Sequence, residues 1–206
     1  RYWVIPILDL VLRPLWTKVY SGVDIPPEDL EKIRTAMRKG SVVIAPCHKS
    51  HFDYVLISWV FYDNKLIIPH VVAGANLALP LISWVLRSAG GFFIKRSFAG
   101  ERLHPKILSR YIQELTRQGY PIEFYIEGGR TRSGKFLAPK LGILGMLLDA
   151  ASLRPSGQEI TILPISIGYE RVAEQAAYAK ELGGQNKTQE SLGEFAKATG
   201  DLRNRY

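Results

Sequence analysis

Cysteine is almost absent: Cys47 is the only one in 206 residues. No internal disulfide can form, which excludes a disulfide-stapled scaffold and points to a reducing compartment. Internal repeats and low-complexity stretches are also missing, so solenoid, collagen-like and disordered architectures fall away. Acid is scarce. Nineteen Asp and Glu face 27 Lys and Arg, a net charge of +8. That balance suits an anionic partner such as a phosphate, an acidic protein or a membrane surface. The one long run without a charge, Leu66–Leu86, is broken by Pro69, His70, Gly74, Asn76 and Pro80. It reads as a strand over Ile67–Ala73 and a short apolar helix over Leu79–Arg87, not as a span.

What is present is an ordinary globular composition, 47% hydrophobic and 22% charged, enough for one domain with a sizeable core. The chain opens on Arg1 and runs to Tyr206 with no start or closing signal, so it reads as part of something longer. The excess charge is concentrated. Arg87, Lys95, Arg96, Arg102, Lys106, Arg110, Arg117, Arg130, Arg132, Lys135 and Lys140 face only Glu101, Glu114, Glu123 and Glu127 between positions 87 and 140. Segments 1–20 and 77–86 are apolar on nearly every face, and each reads either as core or as lying in a bilayer surface.

The elements alternate. Pro27-Glu28-Asp29 opens a helix that Gly40 stops. Ser41–Ala45 reads as a buried strand, Phe52–Tyr62 as a helix, and Phe92–Lys95 as a strand. Leu103–Gln118 reads as a helix, Pro121–Ile126 as a strand, Leu141–Ala151 as a helix and Ile160–Ile167 as a last strand. The fold class this implies is α/β: a central, mostly parallel sheet flanked by helices. Sites in such sheets lie beyond the carboxyl ends of the strands. The chemistry is expected just after Ala45, Lys95, Ile126 and Ile167.

Unusual residues stand at those junctions. After the first strand comes Pro46-Cys47-His48-Lys49-Ser50-His51-Phe52-Asp53. With His48 in the loop and Asp53 in the first helical turn, the carboxylate can reach back to the imidazole. It then fixes the tautomer and leaves the other nitrogen free as a base. The plainer reading is a helix entry with Ser50 as N-cap and two incidental histidines. A metal site on His48, His51 and Asp53 lacks a second ligand cluster. Lys95-Arg96 closes the strand after Gly90-Gly91. After the next strand comes Glu127-Gly128-Gly129-Arg130-Thr131-Arg132, where paired glycines let amides converge on a phosphate and two arginines add forked donors. Gly129–Lys135 fits part of a P-loop, but Phe136 stands where a magnesium-binding Ser or Thr belongs.

Together these pieces resemble the glycerolipid acyltransferases. His48-Lys49-Ser50-His51-Phe52-Asp53-Tyr54 resembles their His-x-x-x-x-Asp motif and Gly90–Arg96 their second. Glu127–Arg132 resembles the third and Ile162-Leu163-Pro164-Ile165-Ser166 the fourth, in matching order and spacing over roughly residues 40–185. The likeness continues into Tyr169-Glu170 and Tyr178–Leu182. The Glu-Gly-Gly-Arg form is most similar to the bacterial membrane-bound glycerol-3-phosphate acyltransferases. Lys49 and Lys95 stand where those enzymes often carry arginine.

The resemblance implies a glycerolipid acyltransferase-like core over 40–185. An N-terminal helical segment over 1–39, core-packed or membrane-lying, would precede it, and a helical tail over 186–206 would follow. His48 would take the proton from the 1-hydroxyl of glycerol 3-phosphate, and Asp53 would orient it. The alkoxide would attack an acyl thioester directly, and Cys47 would be a bystander. Lys95, Arg96, Arg130 and Arg132, with Gly128 and Gly129, would hold the phosphate. Glu127 would bind glycerol hydroxyls or brace an arginine, and Pro164 would shape the pocket wall. The co-substrate would be acyl-CoA or an acidic acyl carrier protein, with no cofactor and no metal. The product, lysophosphatidate, begins phospholipid synthesis and implies the cytoplasmic face of the inner membrane, held peripherally or by shallow insertion. Dihydroxyacetone phosphate or lysophosphatidate would be the alternative acceptor. A module that only binds anionic lipid headgroups has no use for a His–Asp pair. Nothing here resembles a nucleic-acid-binding motif.

Overall fold

The computed structural model describes residues 3–14, 16–17, 20, 22–75, 80–95, 98, 100–154, 158–170, 172 and 174–183. Among the described residues five strands form one sheet: β1 (Gly40–Pro46), β2 (His70–Gly74), β3 (Phe92–Ile94), β4 (Ile122–Glu123) and β5 (Glu159–Ile165). The order is β3-β2-β4-β1-β5, and every paired strand runs parallel. The helices are α1 (Val4–Pro14), α2 (Pro27–Lys39), α3 (Asp53–Asp63), α4 (Pro80–Ser88), α5 (Leu103–Arg117), α6 (Leu141–Ser152) and α7 (Gln175–Leu182). The expected α/β class holds, and the sheet is wholly rather than mostly parallel.

Side-chain alternation on β1 divides the core. Val42 and Ile44 pack with Ala36 of α2 and with Ile57 and Phe61 of α3. Val43, with Ile122 and Phe124, packs against Leu108, Ile112 and Leu115 of α5 and Leu147 and Ala150 of α6. β1 is thus covered on both faces, which is why it reads as a continuous apolar run. Burying each such side chain stabilises the fold by about 1.5–3 kcal/mol.

Four strands are shorter than the sequence suggests, β3 only by Lys95, and proline accounts for two of them. β2 begins at His70, whose N–H bonds Pro121 O at 2.8 Å, because the preceding Pro69 has no N–H to enter the ladder. β4 pairs only at Ile122 and Glu123, against the expected Pro121–Ile126. Phe124 N still donates to Ile44 O at 3.0 Å. Two residues along β1 stands Pro46, which has no N–H to return to β4, and the ladder ends there. The chain is then free to turn into the site. β5 stops at Ile165 instead of Ile167.

α1 docks on α3 through polar contacts. Trp59 Nε1 donates to Asp9 at 2.8 Å, and Arg13 bridges Asp9 and Asp63, each at 3.0 Å. Its opposite face leaves Trp3, Ile7, Leu10 and Val11 exposed. Trp16 is buried against Phe52 and Trp59, so the N-terminal segment is in part core. Among the described residues, no helix is long and apolar enough to cross a membrane. The expected C-terminal tail over 186–206 lies outside the described residues, as do residues 76–79 of the apolar 77–86 segment.

Candidate active site

Parallel strands place their carboxyl ends on one edge, and the loops after β1, β4 and β5 meet there. His48 lies in the loop after β1, and Asp53 is the first residue of α3. His48 Nδ1 is 2.9 Å from Asp53 Oδ2. The same oxygen accepts the backbone N–H groups of Lys49 at 2.7 Å and Ser50 at 2.9 Å. Tyr169, just past β5, donates its hydroxyl to Oδ1 at 2.6 Å. Four donors therefore hold a carboxylate with no solvent exposure at all. An anionic side chain in the first helical turn also suits the helix dipole. With Asp53 on Nδ1, the imidazole can carry its proton there and leave Nε2 as an acceptor. This is the pair expected from the loop-to-helix spacing. Ser50 also donates its hydroxyl to Glu174, at 2.8 Å, rather than acting as a simple cap.

The imidazole of His48 packs on the ring of Tyr125, centroids 4.0 Å apart and planes 32° from parallel. Tyr125 in turn donates to Glu123 Oε1 at 2.6 Å. Glu123 is wholly buried on the α3 side of the sheet, level with Ile44 of β1 and Val71 of β2. Burial first, then the charge of Asp53, pushes its carboxyl up to about 8 against the pull of the Tyr125 hydrogen bond. Burial and Asp53 likewise raise the Tyr169 hydroxyl, which stays a protonated donor.

The loop from Phe124 to Lys140 is tied down at both ends. Thr131 N donates to His48 O at 2.7 Å, and Lys140 N to Ile126 O at 2.7 Å. Gly128 sits at φ +60°, a backbone angle that favours glycine; the Lys140 side chain that a Cβ there would meet at 2.8 Å can move aside. Glu127 is 5% exposed, and its Oε2 accepts the N–H of Leu137 at 2.7 Å. It fastens the loop here; glycerol hydroxyls or an arginine are the partners expected for it from the resemblance.

Arg130 points inward. Its side chain is 6% exposed, with Nη1 3.1 Å from Glu174 Oε1 and 2.8 Å from the Tyr178 hydroxyl. Arg130 and Arg132 each lie with the guanidinium carbon 5.6 Å from the Tyr178 ring. The two arginines do converge, around a side chain of α7. Glu174 also accepts from His51 N at 2.9 Å, so it joins the β1 loop to the arginine loop.

Other expected residues stand apart. Lys95 follows β3, three strand positions from β1, about 14 Å at the usual spacing. Its ammonium pairs with Glu101. Arg96 lies outside the described residues. Pro164 is exposed within the edge strand β5, level with Ala45. Its neighbour Ile165 turns its carbonyl to Cys47 N, so Pro164 faces the open edge, where no N–H is needed.

Sequence reasoning did not single out Glu123, Tyr125 or Glu174. A lone acid between Ile122 and Phe124 in an apolar strand was the one local signal for Glu123. Glu174 had none, because its partners Ser50 and His51 are more than 120 residues away.

The acyltransferase family profile matches residues 25–168. The glycerol-3-phosphate acyltransferase of Ectopseudomonas mendocina is 40% identical over 205 residues, 100% of this chain and 24% of that protein. The protein of the same name from Haemophilus influenzae is 43% identical over 198 residues, 96% of this chain and 24% of its own length. That from Pasteurella multocida is 41% identical, covering 99% of this chain and 25% of its own. The chain spans about a quarter of the length of these curated relatives. Among solved structures, a 1-acyl-sn-glycerophosphate acyltransferase from Thermotoga maritima aligns with 85% of this chain and 90% of its own at TM-score 0.40 and 16% identity. His48, Asp53, Glu123 and the glycine–arginine loop all fall inside the stretch that the profile matches, and the chain belongs to the acyltransferase family.

Proposed function

We propose that this chain is the catalytic core of a glycerol-3-phosphate acyltransferase. It moves an acyl group from acyl-CoA or acyl-acyl carrier protein to the 1-hydroxyl of glycerol 3-phosphate. The observation that carries this reading is His48 Nδ1 held 2.9 Å from a buried, fully hydrogen-bonded Asp53 at the carboxyl edge of a parallel sheet. Nε2 takes the proton of the acceptor hydroxyl as the oxygen attacks the thioester carbonyl. The C–O ester bond forms, the C–S bond breaks, and the thiolate leaves and is protonated. Asp53 stabilises the imidazolium that results. No cofactor takes part.

Arg130 and Arg132 supply the charge for the acceptor phosphate, their planar forks suiting its oxygens. Arg130 is shared with Glu174 in this structure, so the phosphate displaces or joins that carboxylate. Lys95 and Arg96 serve the phosphate when the acceptor reaches across the sheet edge. The names of the bacterial relatives and the basic balance of the chain support the acceptor and an acidic donor. The test is thiol release from an acyl thioester with glycerol 3-phosphate, dihydroxyacetone phosphate or lysophosphatidate as acceptor. Glycerol 3-phosphate is expected to give the highest kcat/KM. A clear preference for lysophosphatidate would overturn the assignment.

The same reading puts the protein at a membrane surface, since its product is a lipid. The exposed Trp3, Ile7, Leu10 and Val11 of α1, with Trp84 of α4 packed 6.0 Å from Trp3, form the apolar face available for it. Peripheral attachment predicts release of the full-length protein from membranes by alkali or high salt. Release by detergent alone would show deeper insertion.

A further inference from the structure

Two carboxyl groups lie near His48, and the reaction just described uses only one. Asp53 is surrounded by donors. Glu123 is buried as completely, yet its Oε1 meets only the Tyr125 hydroxyl, and its Oε2 has no hydrogen-bond partner among the described residues. A buried carboxylate left so bare is unfavourable unless it is neutral. Keeping it in place needs a reason, and the ring of Tyr125 supplies one. That ring is what the imidazole of His48 packs on, and its hydroxyl is anchored by Glu123.

We propose that Glu123 is a positioning residue for the base, holding Tyr125 against His48 as a neutral acid so that the ring face supports the imidazolium formed during acyl transfer. This rests on the reading of His48 as the general base. The physics is direct. When Nε2 takes a proton, the imidazole becomes a cation over an aromatic face, an attraction of about 0.5–2 kcal/mol in a desolvated site. The neutral ring in the resting state gains little, so the contact favours the charged state and raises kcat more than it lowers KM. A neutral Glu123 adds no second negative charge beside Asp53. The two carboxyl groups sit in unlike surroundings, Asp53 among four donors and Glu123 nearly bare.

The groups facing Glu123 are few. Tyr125 follows its own strand by two residues, Asp53 comes from α3, and His48 is reached through Tyr125. Tyr169, from beyond β5, faces Tyr125 and Asp53. The adjacent register positions, Ile44 and Val71, are apolar. Burial, assisted by Asp53, holds the Glu123 carboxyl near about 8, from an ordinary 4.5. An unfolded chain ionises it near the ordinary value, while the folded chain keeps its proton up to about 8. Folding stability therefore falls as pH rises between those values, and Glu123→Gln removes that fall.

The test uses the full-length protein with glycerol 3-phosphate and an acyl thioester. Glu123→Leu and Tyr125→Phe each break the hydrogen bond, and each is expected to lower kcat roughly 2- to 30-fold with the KM for glycerol 3-phosphate unchanged. The double variant is expected to be no slower than either single one, because both act through one contact. Glu123→Gln keeps an acceptor for Tyr125. It is expected to restore kcat and, with no carboxyl left to ionise, to lose the fall in stability between the ordinary carboxyl range and about 8. Folded Glu123→Leu with wild-type kcat, or losses that multiply in the double variant, would overturn the proposal. So would Glu123→Gln as slow as Glu123→Leu. His48→Ala run alongside separates the two claims. An inactive His48→Ala beside a fully active Glu123→Leu sinks the positioning role alone, whereas an active His48→Ala sinks the base and this proposal with it.

Discussion

His48→Ala is expected to remove nearly all turnover while leaving the protein folded. Losing a positioned proton acceptor typically costs about 10²- to 10⁴-fold, and here no neighbour can take over. Asp53 is on the far nitrogen of the ring. Glu123 is buried behind Tyr125. The His51 backbone N–H is held by Glu174, and the imidazole that meets Asp53 is that of His48. His51→Ala is accordingly expected to be much milder. Asp53→Asn is expected to be nearly as severe as His48→Ala. An asparagine oxygen can still accept from Lys49 N and Ser50 N, so the loop keeps its shape. The charge that stabilises the imidazolium is gone, and the Nδ1 proton is no longer specified. Circular dichroism and kcat measured on the same samples check this. A folded His48→Ala with wild-type kcat would end the proposal.

The second large effect concerns Arg130, and the structure changes what is expected of it. A guanidinium 6% exposed, bonded to Glu174 and Tyr178, holds the α7 end of the chain to the site. Breaking one half of a buried pair is strongly destabilising, by about 3–5 kcal/mol, because the other charge is left behind. Glu174 keeps Ser50 and His51 as partners, so Arg130→Ala should cost about 3 kcal/mol, at the lower end. If Arg130 also holds the acceptor phosphate, the same variant should raise the KM for glycerol 3-phosphate about ten- to a hundredfold and that for the donor much less. Arg130→Lys should recover part of both, since a point charge cannot replace the fork. Glu174→Gln separates the two roles. It keeps an acceptor for Ser50 and removes the negative charge that competes with the phosphate for the guanidinium, so the KM for glycerol 3-phosphate should fall. Stability lost from Arg130→Ala with the KM unchanged would make Arg130 a structural brace only. A rise confined to the donor would assign it to the coenzyme or carrier phosphate.

How far the site could be read from sequence depends on the range of each interaction. His48 and Asp53 are five residues apart, and a strand end followed by a helix start leaves few ways to arrange them. The glycine–arginine loop is equally local: Gly128 at positive φ is what its sequence suggests. The resemblance groups Lys95 with Arg130 at one phosphate, yet strand order decides whether strand ends are neighbours. The order β3-β2-β4-β1-β5 places β3 at the edge. Nothing local in Gly90–Arg96 encodes that. The Arg130–Glu174 pair joins residues 44 apart, and the Tyr169–Asp53 bond joins residues 116 apart. Their side-chain types are common on surfaces, and only the fold shows them buried together. Glu123 lay within reach of the sequence. A carboxyl in the middle of an apolar strand is costly, and that cost is the usual mark of a residue kept for a purpose.

The central claim is direct transfer, with His48 activating the acceptor rather than a side chain carrying the acyl group. Rapid mixing of the full-length protein with an acyl thioester, with and without glycerol 3-phosphate, tests it. Thiol release only when the acceptor is present, one thiol for each acylated glycerol 3-phosphate and almost none from His48→Ala, is the expected result. A burst of thiol equal to the enzyme concentration without acceptor, absent from Cys47→Ala, would show an acyl-enzyme and contradict the account.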